Sequence, residues 1–517
     1  MVDSLTMAPL TWTDMLVLAP ELSLAAVMLL LVVLDLALPR QVSRELIGWL
    51  SLTGILLSAA IIVWDIVEGS GAAGQGNEII RLLADSYRVD DFGHIMKLIF
   101  LAAAGFIVLL AIGSVKRDPS ITDHAEYYYL LLPAVIGAMI MSSSGNLVTL
   151  YVGLELLSIT TYVLIGLRKR STKSAEAAFK YVVTGGISSA FILFGMSYLY
   201  GVTGSVALNE IAAALPTAYD NYEALVYVGF FFLIAGFAVK IAAAPFHAWA
   251  PDVYQGASTP VTAFLAVVSK GAALAVVFRI VYSTAFVAGG GEGVFLSKDV
   301  FFTLLVLAAA AMIAGTTAAL RQHQMKRLLA LSGVANAGYL LVPIGISITI
   351  VHSNNFGEFV YYLIAYLFMN IGALAVVMVV SRSAGHEEMS SFAGLYYRAP
   401  WTAAAMAVFV LSLAGLPVTG GFLGKLFILL GAASAGAYWL VAIMAASTVV
   451  SYYFYFAIIR QMFMRSGEED RRIDVPWVIG MVIWLCAGVT VAMGLIPGPI
   501  MEGIEKVFSI PADLLVR

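Results

Sequence analysis

Cysteine is almost absent: Cys486 is the only one among 517 residues, and it stands alone in an apolar run. A single cysteine forms no internal disulfide, and a thiol in such surroundings reads as a small buried hydrophobe rather than a reactive group. With only six scattered histidines besides, neither an iron–sulfur cluster nor a structural zinc site has a ligand set, so no metal site is expected. Charge is equally scarce. Asp, Glu, Lys and Arg make up 12% of the chain, where a soluble domain carries about a quarter. The net charge of −4 offers no attraction to nucleic acid. The N-terminal MVDSLTMAPLTWTDM lacks a basic stretch, so no cleaved signal peptide is read there. GSGAAG at Gly69–Gly74 matches a dinucleotide fingerprint by letters, but it follows an apolar helix and opens no βαβ unit. It reads as a flexible connection.

What the chain has instead is apolar length. It is 61% hydrophobic, with a mean hydropathy of +0.94. Fourteen runs approach or exceed the ~20 residues that span a bilayer as a helix. They are 15–38, 44–67, 90–113, 125–143, 146–167, 176–200, 223–249, 259–283, 299–320, 327–350, 356–381, 400–432, 436–463 and 475–497. The fold class is an all-α polytopic membrane protein, a single membrane domain over 1–517. The longest polar connections, Glu68–Val89 and Val202–Tyr222, are too short to fold alone. Lys and Arg are unevenly shared. Connections after odd-numbered spans carry most of them, among them Arg44, Lys116, Arg117, Arg168, Lys326 and Arg382. Connections after even-numbered spans carry only Arg81, Arg88 and Lys298. The odd connections are therefore expected in the cytoplasm and both termini outside.

Ionisable residues inside the spans are the informative set, because each costs roughly 2.5–3.5 kcal/mol at mid-helix unless it faces protein or water. Glu21, Asp35, Lys97 and Arg279 lie near span ends and are expected to snorkel to an interface. Lys180 is about a turn into its span. Glu155, Lys240, Lys270 and Lys425 are too deep to reach the headgroups, and three lysines cannot all pair with one glutamate. His247 follows Lys240 closely. Between them Pro245 removes a backbone donor and breaks span seven. Pro417, with Gly420 and Gly421, does the same in span twelve, and Lys425 follows. Broken helices five spans apart mark an inverted repeat, since an odd offset reverses every equivalent helix. The expected division is helices 1–3 over 1–123, one five-helix repeat over 124–286, a second over 299–465, and helix 14 over 475–497.

The strings YVGLELLSITTYVLIGL, EAAFKYVVTGG, KIAAAPFHAWAPDVYQGASTP, MKRLLALSGVANAGYLL and LAGLPVTGGFLGKLF resemble the antiporter-like membrane subunits of respiratory complex I, the proton-pumping NADH:quinone oxidoreductase. PDVY and Lys425 are most similar to the bacterial subunit N branch. The resemblance implies that Glu155 tunes Lys240, the central proton-carrying lysine. It implies that Lys270, with His247 nearby, relays protons along the membrane plane, and that Lys425 is the terminal site. Lys180 matches a lysine that can compete for Glu155. Two positions depart from the pattern. Asn336 stands where histidine or glutamine is common, which removes a titrating relay. Ser258 stands where proline is common.

The resemblance further implies a bacterial inner-membrane location in the lipid bilayer, with other membrane-arm subunits, including sister antiporter-like subunits, as partners. No cofactor is expected in this chain; flavin and iron–sulfur clusters, and the NADH and quinone sites, would belong to partner subunits. Two rival readings are a subunit of a multi-subunit cation/proton antiporter and a stand-alone secondary transporter.

Overall fold

The computed structural model describes residues 12–39, 41–71, 80–83, 85–287, 294–347, 354–467 and 472–507. The glycine-rich stretch beyond Gly71 and the first eleven residues lie outside them.

Six membrane helices come first: α1 (Ala19–Ala37), α2 (Glu45–Gly71), α3 (Asp91–Ser114), α4 (His124–Ser142), α5 (Leu147–Gly166) and α6 (Thr172–Thr203). Side-chain caps set several starts. Asp90 accepts from Gly93 N, Asn146 from Thr149 N and Ser171 from Ser174 N, each satisfying a backbone donor that the first turn leaves unpaired. Between α2 and α3, β1 (Ile80–Leu82) and β2 (Tyr87–Val89) form a small antiparallel hairpin.

Helix α7a (Leu208–Ile241) begins well before the run expected at 223, with one non-helical residue at Tyr222. The stretch 208–221 therefore corrects the reading of 202–222 as a connection. It is helical but too polar to register as a long apolar run. Ala242 takes a left-handed conformation (φ 59°), and the chain passes Pro245 and His247 before α7b (Trp249–Gly256). Span seven is thus broken and resumes, rather than ending at 249. Carbonyls freed by the break are satisfied locally. Ala243 N donates to Ala238 O (2.8 Å), and Trp249 Nε1 donates to Val239 O (2.9 Å).

Seven further spans follow: α8 (Thr259–Phe286), α9 (Leu296–Ala319), α10 (Met325–Gly345), α11 (Asn355–Ala384), the pieces α12a (Pro400–Ala414) and α12b (Gly420–Ser434), α13 (Tyr438–Met464) and α14 (Trp477–Leu495). Among the described residues thirteen helices are long and apolar enough to cross a membrane, and the two short pieces of α12 together supply the broken fourteenth. A short helix, Gly498–Val507, closes the described chain.

Helices α8 and α10 are wholly buried and α11 nearly so, whereas α1, α6 and α13 keep much of their apolar surface outward. Lipid tails are as apolar as leucine, so helices here associate through close packing rather than exclusion from water. Gly137 of α4 shows how. A Cβ there would sit 2.6 Å from Leu157 N and 2.7 Å from Gly153 O, so α4 presses directly on the backbone of α5. That contact helps hold α5, which carries Glu155.

Three of the four span-end charges are buried in pairs rather than snorkelling. Lys97 meets Glu21 at 2.9 Å and donates to Tyr87 Oη at 2.7 Å, and Arg279 binds Asp90 through two contacts of 2.7 and 2.8 Å with both side chains fully buried. Their partners Tyr87 and Asp90 belong to the hairpin and its exit, a segment the sequence presents as a plain connection. Asp35 does sit at a half-exposed helix end, paired with Arg44 at 2.8 Å.

Candidate functional site

The first half of the site is built where α5, α6 and α7a meet. Lys240 lies in the last turn of α7a, 6% exposed, and its Nζ donates to Ser158 Oγ of α5 at 2.8 Å. It also stands 5.9 Å from the centre of the Tyr162 ring. Glu155, one turn before Ser158, is close enough to act on Lys240 electrostatically, yet no ion pair within 4 Å joins them among the described residues. Its Oε1 is buried and has no hydrogen-bond partner. The serine hydroxyl thus stands beside the ammonium, with a carboxylate oxygen free nearby.

Lys270 comes directly after a π-helical stretch, Leu265–Ser269, in the wholly buried α8. Such widened turns re-aim side chains and recur at functional positions. Its Nζ has no protein partner, nor have the buried hydroxyls of Tyr254 and Tyr366. All three converge. Nζ is 5.6 Å from the Tyr254 ring centre, and a Cβ added at Gly333 of α10 would meet both Lys270 Nζ (3.0 Å) and Tyr366 Oη (2.8 Å). Buried polar atoms without protein partners are positions that ordered water satisfies.

Beyond Lys270 the polar groups touch in sequence. Ser332 bonds Tyr455; Asn336 Nδ2 donates to Ser332 Oγ at 3.3 Å; Tyr362 Oη donates to Asn336 Oδ1 at 2.7 Å. The Tyr362 and Tyr339 rings lie 6.3 Å apart, and Lys425 Nζ sits 4.8 Å from the Tyr339 ring centre. Lys425 is 8% exposed and donates to Leu413 O at 2.7 Å, a carbonyl of the last turn of α12a that the break leaves without a helical donor. Gly415 (φ 80°) ends that helix in a conformation favouring glycine, and a Cβ there would press on Lys425 Cδ at 3.1 Å.

The structure therefore places a hydrogen-bonded run, Tyr455–Ser332–Asn336–Tyr362, between the surroundings of Lys270 and those of Lys425, with ring contacts but no hydrogen bond joining it to either lysine among the described residues; Lys240, Ser158, Tyr162 and Tyr181 form a neighbouring cluster. His247 is not joined to it by any hydrogen bond among the described residues. It sits half-buried in the break beside the outward-facing Pro245, with Nδ1 unpartnered. Pro417 lies in the corresponding break between α12a and α12b. Lys180 is held by Asp252 of α7b (2.6 Å) and Glu176 (2.7 Å) rather than by Glu155. Asp252 also binds Arg327 of α10 at 2.5 Å. Sequence reasoning missed Asp252, Ser158 and the tyrosines 162, 254, 339, 362 and 366. A hydroxyl on an otherwise apolar run was the available signal. Asn336, read as a lost titrating relay, bridges Ser332 and Tyr362 by hydrogen bonds. Among the described residues no cluster of three or more His, Cys, Asp or Glu is placed to hold a metal.

Residues 144–451 match the family described as "NADH:quinone oxidoreductase/Mrp antiporter, TM". The chain belongs to this family. Relatives named NADH-quinone oxidoreductase subunit N occur in Paenibacillus sp. (strain JDR-2), 68% identical over 98% of this chain and 99% of the relative, and in Brevibacillus brevis, 45% identical over 95% of each. Among solved structures, a chain of respiratory complex I from Thermus thermophilus is 28% identical with a TM-score of 0.75, covering 94% of this chain and 99% of that one. A chain of the Mrp complex from Dietzia sp. DQ12-45-1b is 20% identical with a TM-score of 0.78, covering 96% and 99%; this likeness shows the shared fold. The NADH:quinone oxidoreductase/Mrp antiporter match covers both broken helices and every deep lysine of the site.

Proposed function

We propose that this chain is the subunit N-type membrane-arm subunit of a proton-translocating NADH:quinone oxidoreductase, and that its buried string carries protons. The observation that carries the reading is three buried lysines, each the only lysine of its helix, with a run of hydroxyls, an amide and partnerless polar atoms lying among them. Three separate desolvated lysines would cost more than one hydrated path. Lys240 holds a proton beside Ser158 and exchanges it under the influence of Glu155. Lys270 passes it through water and tyrosine hydroxyls toward Lys425. His247 serves the break in span seven as a side relay. Lys180, released from Asp252, competes for Glu155 and so changes how firmly Lys240 keeps its proton.

The chain supplies no redox chemistry in this reading; quinone reduction in partner subunits drives it, with sister antiporter-like subunits alongside in the membrane. The 68% identity to a subunit N supports this over the antiporter reading, with which the fold is shared. The division into helices 1–3 (1–123), repeats 124–286 and 299–465, and helix 14 (475–497) belongs to the same proposal, supported by the two breaks. So does the bacterial inner-membrane orientation with both termini outside, supported by the lysine and arginine asymmetry. Lys240→Ala tests the core of it. Coupled NADH:quinone turnover should fall about ten-fold or more while the assembled complex stays intact. Wild-type turnover together with wild-type pumping would remove Lys240 from the central role.

A further inference from the structure

The ends of α3, α8, α10 and α11 enclose a half-open cavity of about 430 Å³, on the face that the proposed orientation assigns to the cytoplasm. Four cations line it, Arg117, Arg168, Lys326 and Arg382, against two carboxylates, Asp118 and Glu387. Both carboxylates are already engaged. Arg168 binds Asp118 at 3.0 Å, and the buried Lys326 binds Glu387 at 2.6 Å. Arg117 and Arg382 remain, with no ion pair within 4 Å or hydrogen bond among the described residues; they are near enough to repel one another, and Asp474, outside the cavity wall, attracts Arg382 from beyond ion-pair distance. Two guanidiniums facing one concave space, with no carboxylate of its wall left to pair them, form an arrangement that a bound anion would complete.

We propose that this cavity binds a phosphate group between Arg117 and Arg382. The fit is chemical. A guanidinium presents paired N–H donors that match two phosphate oxygens, and two such forks that no wall carboxylate engages face the same space. Position favours a water-borne phosphate over a lipid headgroup. Three of the four wall helices, α8, α10 and α11, are the most buried of the molecule, which sets the cavity away from the outward-facing α1, α6 and α13. No residue of this site is on the buried string, and its test is independent of turnover.

The test uses the full chain purified in detergent, with radiolabelled inorganic phosphate in equilibrium dialysis. Wild type should bind saturably, about one phosphate per chain, with sulfate competing and chloride at equal ionic strength much weaker. In Arg117→Gln/Arg382→Gln the affinity should drop at least about ten-fold, while Arg382→Lys, which keeps the charge and loses the fork, should fall between. Arg81→Gln, away from the cavity, should bind as wild type. A second arm places the chain in nanodiscs of phosphatidylcholine with or without phosphatidylglycerol. Phosphate binding that persists in both marks a soluble ligand; binding abolished only by phosphatidylglycerol, and restored to insensitivity in the double variant, marks a headgroup at the same two arginines. Absence of saturable binding in detergent and of any phosphatidylglycerol effect overturns the proposal. So does wild-type affinity in the well-folded double variant.

Discussion

Lys240 and Glu155 share one helix–helix contact without touching, and Ser158 stands between their roles. That geometry makes the carboxylate's influence a matter of charge acting over a short distance rather than of a fixed hydrogen bond. Glu155→Gln removes the charge and nearly keeps the volume; Glu155→Asp keeps the charge and moves it back by one methylene. Turnover of the assembled complex should therefore fall severalfold more in the glutamine variant than in the aspartate variant. Equal losses would assign Glu155 to packing. The lysines themselves could be found from sequence because a solitary charge in an apolar run has no cheap explanation. The tyrosines could not. In a membrane helix a tyrosine serves an interface belt or a packed core as readily as a proton path, and only the placement of Tyr254, Tyr339, Tyr362 and Tyr366 between two lysines distinguishes these uses.

At the scale of elements, Asp252 ties α6, α7b and α10 together through Lys180 and Arg327. One carboxylate thereby links the broken helix to helices on both sides of it. Removing its charge in Asp252→Asn leaves Lys180 held by Glu176 alone, and so freer to pair with Glu155 and take the carboxylate from Lys240. Turnover should drop several-fold. Adding Lys180→Met should restore part of that loss, because the competing cation is gone; a double variant no better than the single one would reduce Asp252 to a structural clamp. Sequence reasoning passed over Asp252 because a charge in a polar-looking segment after a proline is unremarkable there. Its meaning depends on α7b being a helix, and eight residues of mixed polarity carry too little periodicity to announce one. The long apolar runs were legible for the opposite reason, since bilayer thickness imposes a length that composition alone reveals. The pairing of Lys97 and Arg279 escaped because Glu21 comes from a distant helix, Tyr87 from a hairpin only three residues a side, and Asp90 from just beyond it.

Taken whole, the molecule keeps its polar string in α8, α10 and α11 and offers apolar surface from α1, α6 and α13 to lipid or neighbouring subunits. A path along the membrane plane needs both of its faces sealed, which makes orientation a functional property. The solitary Cys486 gives a direct way to read it. In a Cys486→Ser background, a cysteine at the exposed Asp220 should react with a membrane-impermeant maleimide on intact cells lacking an outer barrier. One at the exposed Thr172 should react only after the membrane is opened. The reverse pattern would invert the proposed topology.

The partner of Lys425 has a property that no side chain shares. Leu413 O belongs to the backbone, so no single codon change can delete it, charge it or alter its basicity. It is open as an acceptor because α12a stops at Gly415 and because Pro417, four residues on, has no N–H to give it. Variation around the terminal lysine can therefore reshape neighbouring rings and hydroxyls, yet its first contact changes only if the path of the chain itself changes. The far end of the string is anchored in the geometry of a helix that was interrupted, and its heritable control lies in the glycine that keeps it so.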